Sequence, residues 1–128
     1  MLVNLILVAV ILLTLDSVYL GLTKSMLLPV FETIQCGSPL VFRYEGAVAC
    51  YLLLTLGHYY FVIRENRPLW EAFLMGVFVY GIYDTTTLAV FKKYTIQMAA
   101  MDTLWGGVLF AATALVYRRI RPLLVRGF

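Results

Sequence analysis

A chain of 128 residues that is 62% hydrophobic and only 13% charged, with a mean hydropathy of +0.90, cannot clothe a water-facing surface, which takes roughly a quarter of a soluble sequence in charged residues. A soluble globule is excluded; at about 20 residues per crossing, the length suits four membrane spans with short connections and leaves no room for an aqueous domain. The formal charge is +3, but the surplus gathers in Arg118, Arg119, Arg121 and Arg126 directly after an apolar run, where it suits anionic lipid headgroups and not nucleic acid.

The first apolar run covers Leu2–Leu22. Its opening residues have the length of a signal-peptide core, but no Lys or Arg precedes them and no small-x-small cleavage site follows, so the segment is expected to remain as the first span. From Lys24 to Gln35 the apolar residues Met26, Leu27, Val30, Phe31 and Ile34 recur at helical spacing, with Lys24, Ser25, Glu32 and Gln35 mostly on the other face. That pattern fits a short helix lying in the membrane interface; equally, the first helix continues to Pro29. Gly37-Ser38-Pro39 then breaks the chain.

Three further runs, Tyr44–Ile63, Leu69–Val90 and Ile96–Tyr117, are each long enough to cross about 30 Å of hydrocarbon as a helix. Helices are required because lipid offers no partner to backbone N–H and C=O groups. Arg64-Glu65-Asn66-Arg67-Pro68 and Phe91-Lys92-Lys93-Tyr94-Thr95 are short polar turns, so the expected architecture is a single all-α domain, a four-span antiparallel bundle with an interfacial helix between spans one and two, and a basic tail over 118–128. Arg64, Arg67, Arg118, Arg119, Arg121 and Arg126 share one side, while Lys24, Arg43, Lys92 and Lys93 share the other; this bias places both termini in the cytoplasm. Tyr19, Tyr44, Tyr59, Tyr60, Trp70, Tyr94 and Tyr117 lie near span ends, as in an aromatic belt.

The informative residues are Asp16, Asp84 and Asp102, since a carboxylate within a span costs about 2.5–3.5 kcal/mol at the bilayer centre and is by default a functional hypothesis. Asp16 lies six residues before Leu22, Asp84 six before Val90 and Asp102 six after Ile96. With alternating span directions, all three fall at one depth, roughly 9 Å inside the same interface. Tyr80, Tyr83, Asp84 and Thr87 share a helix face. Arg43 and Glu45, entering the second span, and Lys92 and Lys93 stand on that side as possible counter-charges, the cations by snorkelling. The cluster reads either as a proton or cation site, with tyrosine and threonine hydroxyls completing its shell, or as polar glue between helices.

His58 shares a stripe with Tyr51 and Thr55; standing alone, it reads as a satisfied interface residue and not as a metal ligand. Ala99, Thr103, Gly107 and Ala111 form a small-residue ridge that lets a helix approach closely, within the bundle or from another copy. Cys36 and Cys50 cannot hold a metal alone and read as free thiols. No metal, no cofactor and no catalytic residue is expected, because neither a nucleophile-and-base pair nor a histidine array is present.

Leu15-Asp16-Ser17-Val18-Tyr19-Leu20-Gly21, Tyr80-Gly81-Ile82-Tyr83-Asp84-Thr85-Thr86-Thr87-Leu88-Ala89 and Asp102-Thr103-Leu104-Trp105-Gly106-Gly107-Val108-Leu109 resemble the motifs of the domain-of-unknown-function 2177 family of small predicted membrane proteins. The resemblance implies a four-span bundle and makes the three aspartates part of the family's motifs, but it implies no activity. Two positions depart: Thr87 stands where the family usually has Asn, and Tyr19 where it usually has Trp. The leading expectation is a non-enzymatic structural or assembly subunit of a membrane complex or membrane-bearing particle, for which a viral or organellar setting would fit, partnered by other membrane or capsid-type subunits or by its own copies. The alternative is a proton- or cation-coupled carrier or channel using the aspartates, and a lipid-modifying enzyme is the minor reading.

Overall fold

The computed structural model describes residues 1–37 and 43–126, with the side chains of Val125 and Arg126 outside that set. Four helices make up nearly all of it: α1 (Leu2–Ile34), α2 (Tyr44–His58, prolonged by a π-helical turn over Tyr59–Ile63), α3 (Leu69–Val90) and α4 (Ile96–Arg126). Each carries an apolar stretch long enough to cross a membrane. Their outer faces are apolar: Leu53, Phe78, Ile82 and Leu104 are all exposed. In water each such side chain would forfeit roughly 1.5–3 kcal/mol of burial, so hydrocarbon is the solvent this surface fits. The protein is an all-helical, multi-pass integral membrane protein.

α1 spans 33 residues, about 50 Å at 1.5 Å per residue, and so outreaches the hydrocarbon. The short interfacial helix expected over Lys24–Gln35 is therefore not a separate element. Leu27, Val30, Phe31 and Ile34 keep their helical spacing and, with Leu88 of α3, pack on Tyr94, Met98 and Ala99, and this burial offsets the one backbone hydrogen bond that Pro29 removes. α1 closes in a Schellman motif, in which the Gly37 N–H donates to the Glu32 carbonyl at 2.8 Å and the Cys36 N–H to that of Thr33 at 3.1 Å. The left-handed positions are Cys36 (φ +58°) and Gly37 (φ +84°). Ser38 and Pro39, the rest of the expected break, lie outside the described residues.

The turn after α2 closes the same way. Asn66, at φ +49°, donates its N–H to the Ile63 carbonyl at 3.1 Å, and the Arg67 N–H reaches that of Val62 at 3.0 Å; asparagine tolerates this conformation better than most residues. Pro68 then caps α3.

α3 and α4 form the tightest pair. A Cβ on Gly76 would lie 2.0 Å from the Gly106 carbonyl oxygen, and Gly106 and Gly107 receive Tyr80 and Phe73 in the same way. Such backbone contact is open only to glycine. Contacts step from Gly81–Thr103 to Gly76–Gly106 and Phe73–Gly107, down α3 as they go up α4. α1 joins α4 through Leu12, packed with Leu54, Leu109 and Phe110, and through Val8 and Ile11, packed with Tyr117. α4 runs as helix to Arg126, so the expected basic tail is largely helical. Near that end Arg118 donates to the Arg67 carbonyl, and Arg121 Nε to Asn4 Oδ1 at 2.6 Å.

Candidate functional site

The three aspartates stand on three approaches to one layer of the bundle, each held by neutral donors. Asp16 on α1 accepts from Trp105 Nε1 at 2.9 Å and from the Tyr51 hydroxyl of α2. Asp84 on α3, fully buried, accepts from the Tyr94 hydroxyl at 2.7 Å and from Thr103 Oγ1 at 3.3 Å. Asp102 on α4 accepts from the Tyr19 hydroxyl at 3.2 Å. Thr103 is the residue after Asp102, so Asp84 meets α4 one position from the Asp102 carboxylate.

The donors follow from spacing. Tyr19 is three residues beyond Asp16 and Trp105 three beyond Asp102, so each aromatic stands one turn from an aspartate on its own helix and donates to the one on the other. The two rings stack with centroids 4.6 Å apart and planes 5° from parallel, which locks both donors in place.

Of the residues singled out from sequence, Asp16, Asp84 and Asp102 come together. Tyr80 packs on Gly106 at the edge of the group. The Thr87 hydroxyl turns back to the Tyr83 carbonyl at 2.8 Å, and the Tyr83 side chain is largely exposed. Arg43 pairs with Glu45 at 2.9 Å, both exposed, and does not engage the carboxylates; Lys92 and Lys93 are likewise exposed in the α3–α4 turn. Among the described residues, every ion pair joins groups that are exposed or half-buried, and none includes the three aspartates. Along the ridge, Thr103 and Gly107 face α3 within the same chain, Ala99 is buried beside Met98 and Ala111 is half-buried.

Sequence reasoning did not assign Tyr19, Tyr51, Tyr94, Thr103 and Trp105 as donors to these carboxylates. Tyr94 is the least visible, because it lies in the connecting turn and reaches back into the span. Burial, and then its bond to Asp84, raise the Tyr94 phenol well above the ordinary tyrosine range. Beside it, Phe31, Ile34, Gln35, Tyr83, Thr87 and Phe91 line a cleft of about 410 Å³ at the same end of the bundle.

His58 is fully buried, unlike the satisfied interface residue expected. Its Nε2 lies 2.9 Å from the Phe110 carbonyl, and its Nδ1 has no partner. Cys36 and Cys50 are both free. Among the described residues no three His, Cys, Asp or Glu side chains are grouped to hold a metal ion.

Four membrane-length helices around a carboxylate layer define a polytopic helical membrane protein. The chain belongs to the DUF2177 family of predicted membrane proteins, whose model matches residues 1–117. No curated protein and no solved structure matches it.

Proposed function

We propose that the protein is a proton-coupled membrane carrier or channel, an antiparallel four-span bundle whose Asp84–Asp102 pair holds the transported or coupling proton. The observation that carries this reading is that three carboxyl groups share one layer with neutral donors and, among the described residues, no cationic partner. Purely structural glue needs only neutral polar groups, whereas a carboxyl pair that shares one proton supplies a group able to exchange it. Asp16 is the third station, joined to the pair through the Tyr19–Trp105 stack. The cleft beside Thr87 supports access from the α3–α4 end, and the basic residues near the opposite end support a cytoplasmic position for the termini.

The reading is tested in liposomes containing the full chain. An imposed pH gradient is expected to drive proton flux, and Asp84→Asn, which keeps the shape and removes the ionisable group, is expected to abolish it while the helices stay folded. Flux retained in Asp84→Asn would refute the proposal. A structural or assembly role is the second reading, favoured by the reciprocal bonding of Tyr19 and Trp105; it expects no flux from the wild type and recovery of the chain in a stoichiometric complex from its native membrane.

A further inference from the structure

His58 stands outside the aspartate layer and carries an unused proton acceptor. A carbonyl only accepts hydrogen bonds, so the contact of Nε2 with the Phe110 oxygen at 2.9 Å puts the hydrogen on Nε2 and leaves Nδ1 of the neutral ring as a bare lone pair. Nδ1 has no partner, and neither has the Thr113 hydroxyl one helical turn beyond Phe110. Both residues are 0% exposed. Leaving an acceptor and a donor unsatisfied in an apolar interior costs about 1–3 kcal/mol apiece, a penalty that a purely structural position has no reason to retain.

Three other observations converge on the same residue. The edge of the Phe110 ring, or of the imidazole against it, fixes the orientation, with centroids 4.9 Å apart at 72°. The π-helical turn begins at Tyr59, directly after His58; such turns recur at functional positions because they re-aim neighbouring side chains. His58 also lies on one stripe of α2 with Thr55, itself buried, and with Tyr51, the hydroxyl that bonds Asp16. The charged group that acts on the ring is Arg118 of α4.

We infer that His58, with Thr113, is a second proton-binding station, lying between the Asp16 layer and the Arg67–Arg118 end of the bundle. An N–H bond forms at Nδ1 as a hydronium ion gives up a proton and is left as water, and the ring becomes imidazolium with Nε2–H still held by Phe110. On release the same Nδ1–H bond breaks as a water molecule takes the proton; the Thr113 hydroxyl keeps its own proton and serves only as a hydrogen-bond partner on the way. Its role in transport rests on the aspartate reading above, but proton binding itself does not.

The chain contains one histidine, so ¹⁵N-histidine labelling of the full protein in lipid vesicles reports this ring alone. The expected spectrum shows the Nε2–H tautomer at about pH 8 and reversible conversion to imidazolium by about pH 4.5, with helicity unchanged. A ring that stays neutral over that range in the folded protein overturns the inference. In flux measurements His58→Gln is expected to lose about tenfold or more with Asp84 intact, and Thr113→Val, which keeps the side-chain shape, is expected to slow flux if His58→Gln fails to fold. Full flux in either folded variant overturns the relay role and leaves the aspartate reading standing. Absence of flux in the wild type overturns the aspartate reading and the relay together, and the resonance then decides whether His58 binds a proton.

Discussion

Tyr19 and Trp105 lie face to face, 4.6 Å apart, and each donates a hydrogen bond to the aspartate that belongs to the other's helix. The exchange ties α1 to α4 at two points through one stack. Tyr19→Phe and Trp105→Phe each remove one donor and leave the aromatic contact largely in place. Each is expected to lower stability by about 0.5–2 kcal/mol, the span of measured interhelical bonds in membranes. The double variant is expected to deviate from additivity by about 0.5 kcal/mol or more, because the two donors share a stack. Unfolding in mild detergent measures all three, and simple additivity would show that the donors act independently.

The α3–α4 contact makes a sharper forecast. Gly76→Leu places a side chain where the Gly106 carbonyl already stands, so the helices must part, at a cost of about 3 kcal/mol or more. Gly57 has nothing within 4 Å of an added Cβ, and Gly57→Ala is expected to stabilise by about 0.5–1 kcal/mol through helix propensity alone. Thermal unfolding of the pair in one detergent checks both signs.

Tyr94 should impose an alkaline limit. Its phenol is raised in the fold by burial and by the bond to Asp84, so the stability it contributes is fully present below the unfolded tyrosine value of about 10 and is lost as pH rises beyond that toward the folded value. Tyr94→Phe is expected to be less stable than the wild type by about 1 kcal/mol near neutral pH. The gap should narrow above about pH 10. Melting curves across that range test it, and a gap independent of pH would mean that Tyr94 contributes by packing alone.

Orientation is open to a thiol measurement. Cys36 ends α1 in an exposed turn, whereas Cys50 lies inside α2. With both termini cytoplasmic, a membrane-impermeant maleimide is expected to label Cys36 from the outer side of intact cells or right-side-out vesicles, and to leave Cys50 unlabelled. Labelling of Cys36 only after the membrane is opened would reverse the assignment.

Much of this fold was legible because lipid imposes a simple rule. Runs such as Leu69–Val90 are apolar for one bilayer thickness and end in polar turns, and the helix α3 has the same bounds. Counting from the span ends also brought Asp16, Asp84 and Asp102 to one level. Counting along a helix does not fix its rotation, however, so the swap of donors between Tyr19 and Trp105 is visible only in the packed bundle. Nor did it show which way Thr103 faces: a ridge of small residues suits any neighbour, and here α3 occupies it. At Pro29 a local rule pointed to a break, but the burial of Phe31 and Ile34 against Tyr94 carries the helix through. The depth of His58 is not legible from sequence, because a polar residue near a span end suits both the interface and the interior, and only packing around Phe110 separates the two.

The uninterrupted α1 has a mechanical corollary. From Asp16 to Phe31 is fifteen residues of one helix, about 22 Å of stiff rod, with a carboxyl at one point and the cover over Tyr94 at the other. A tilt of that rod shifts both together. α1 counts 33 residues against 20 for its neighbour from Tyr44 to Ile63, yet its apolar run, Leu2–Leu22, is about as long as that neighbour; the excess stands beyond the hydrocarbon and acts as a lever on the layer where Tyr51 meets Asp16.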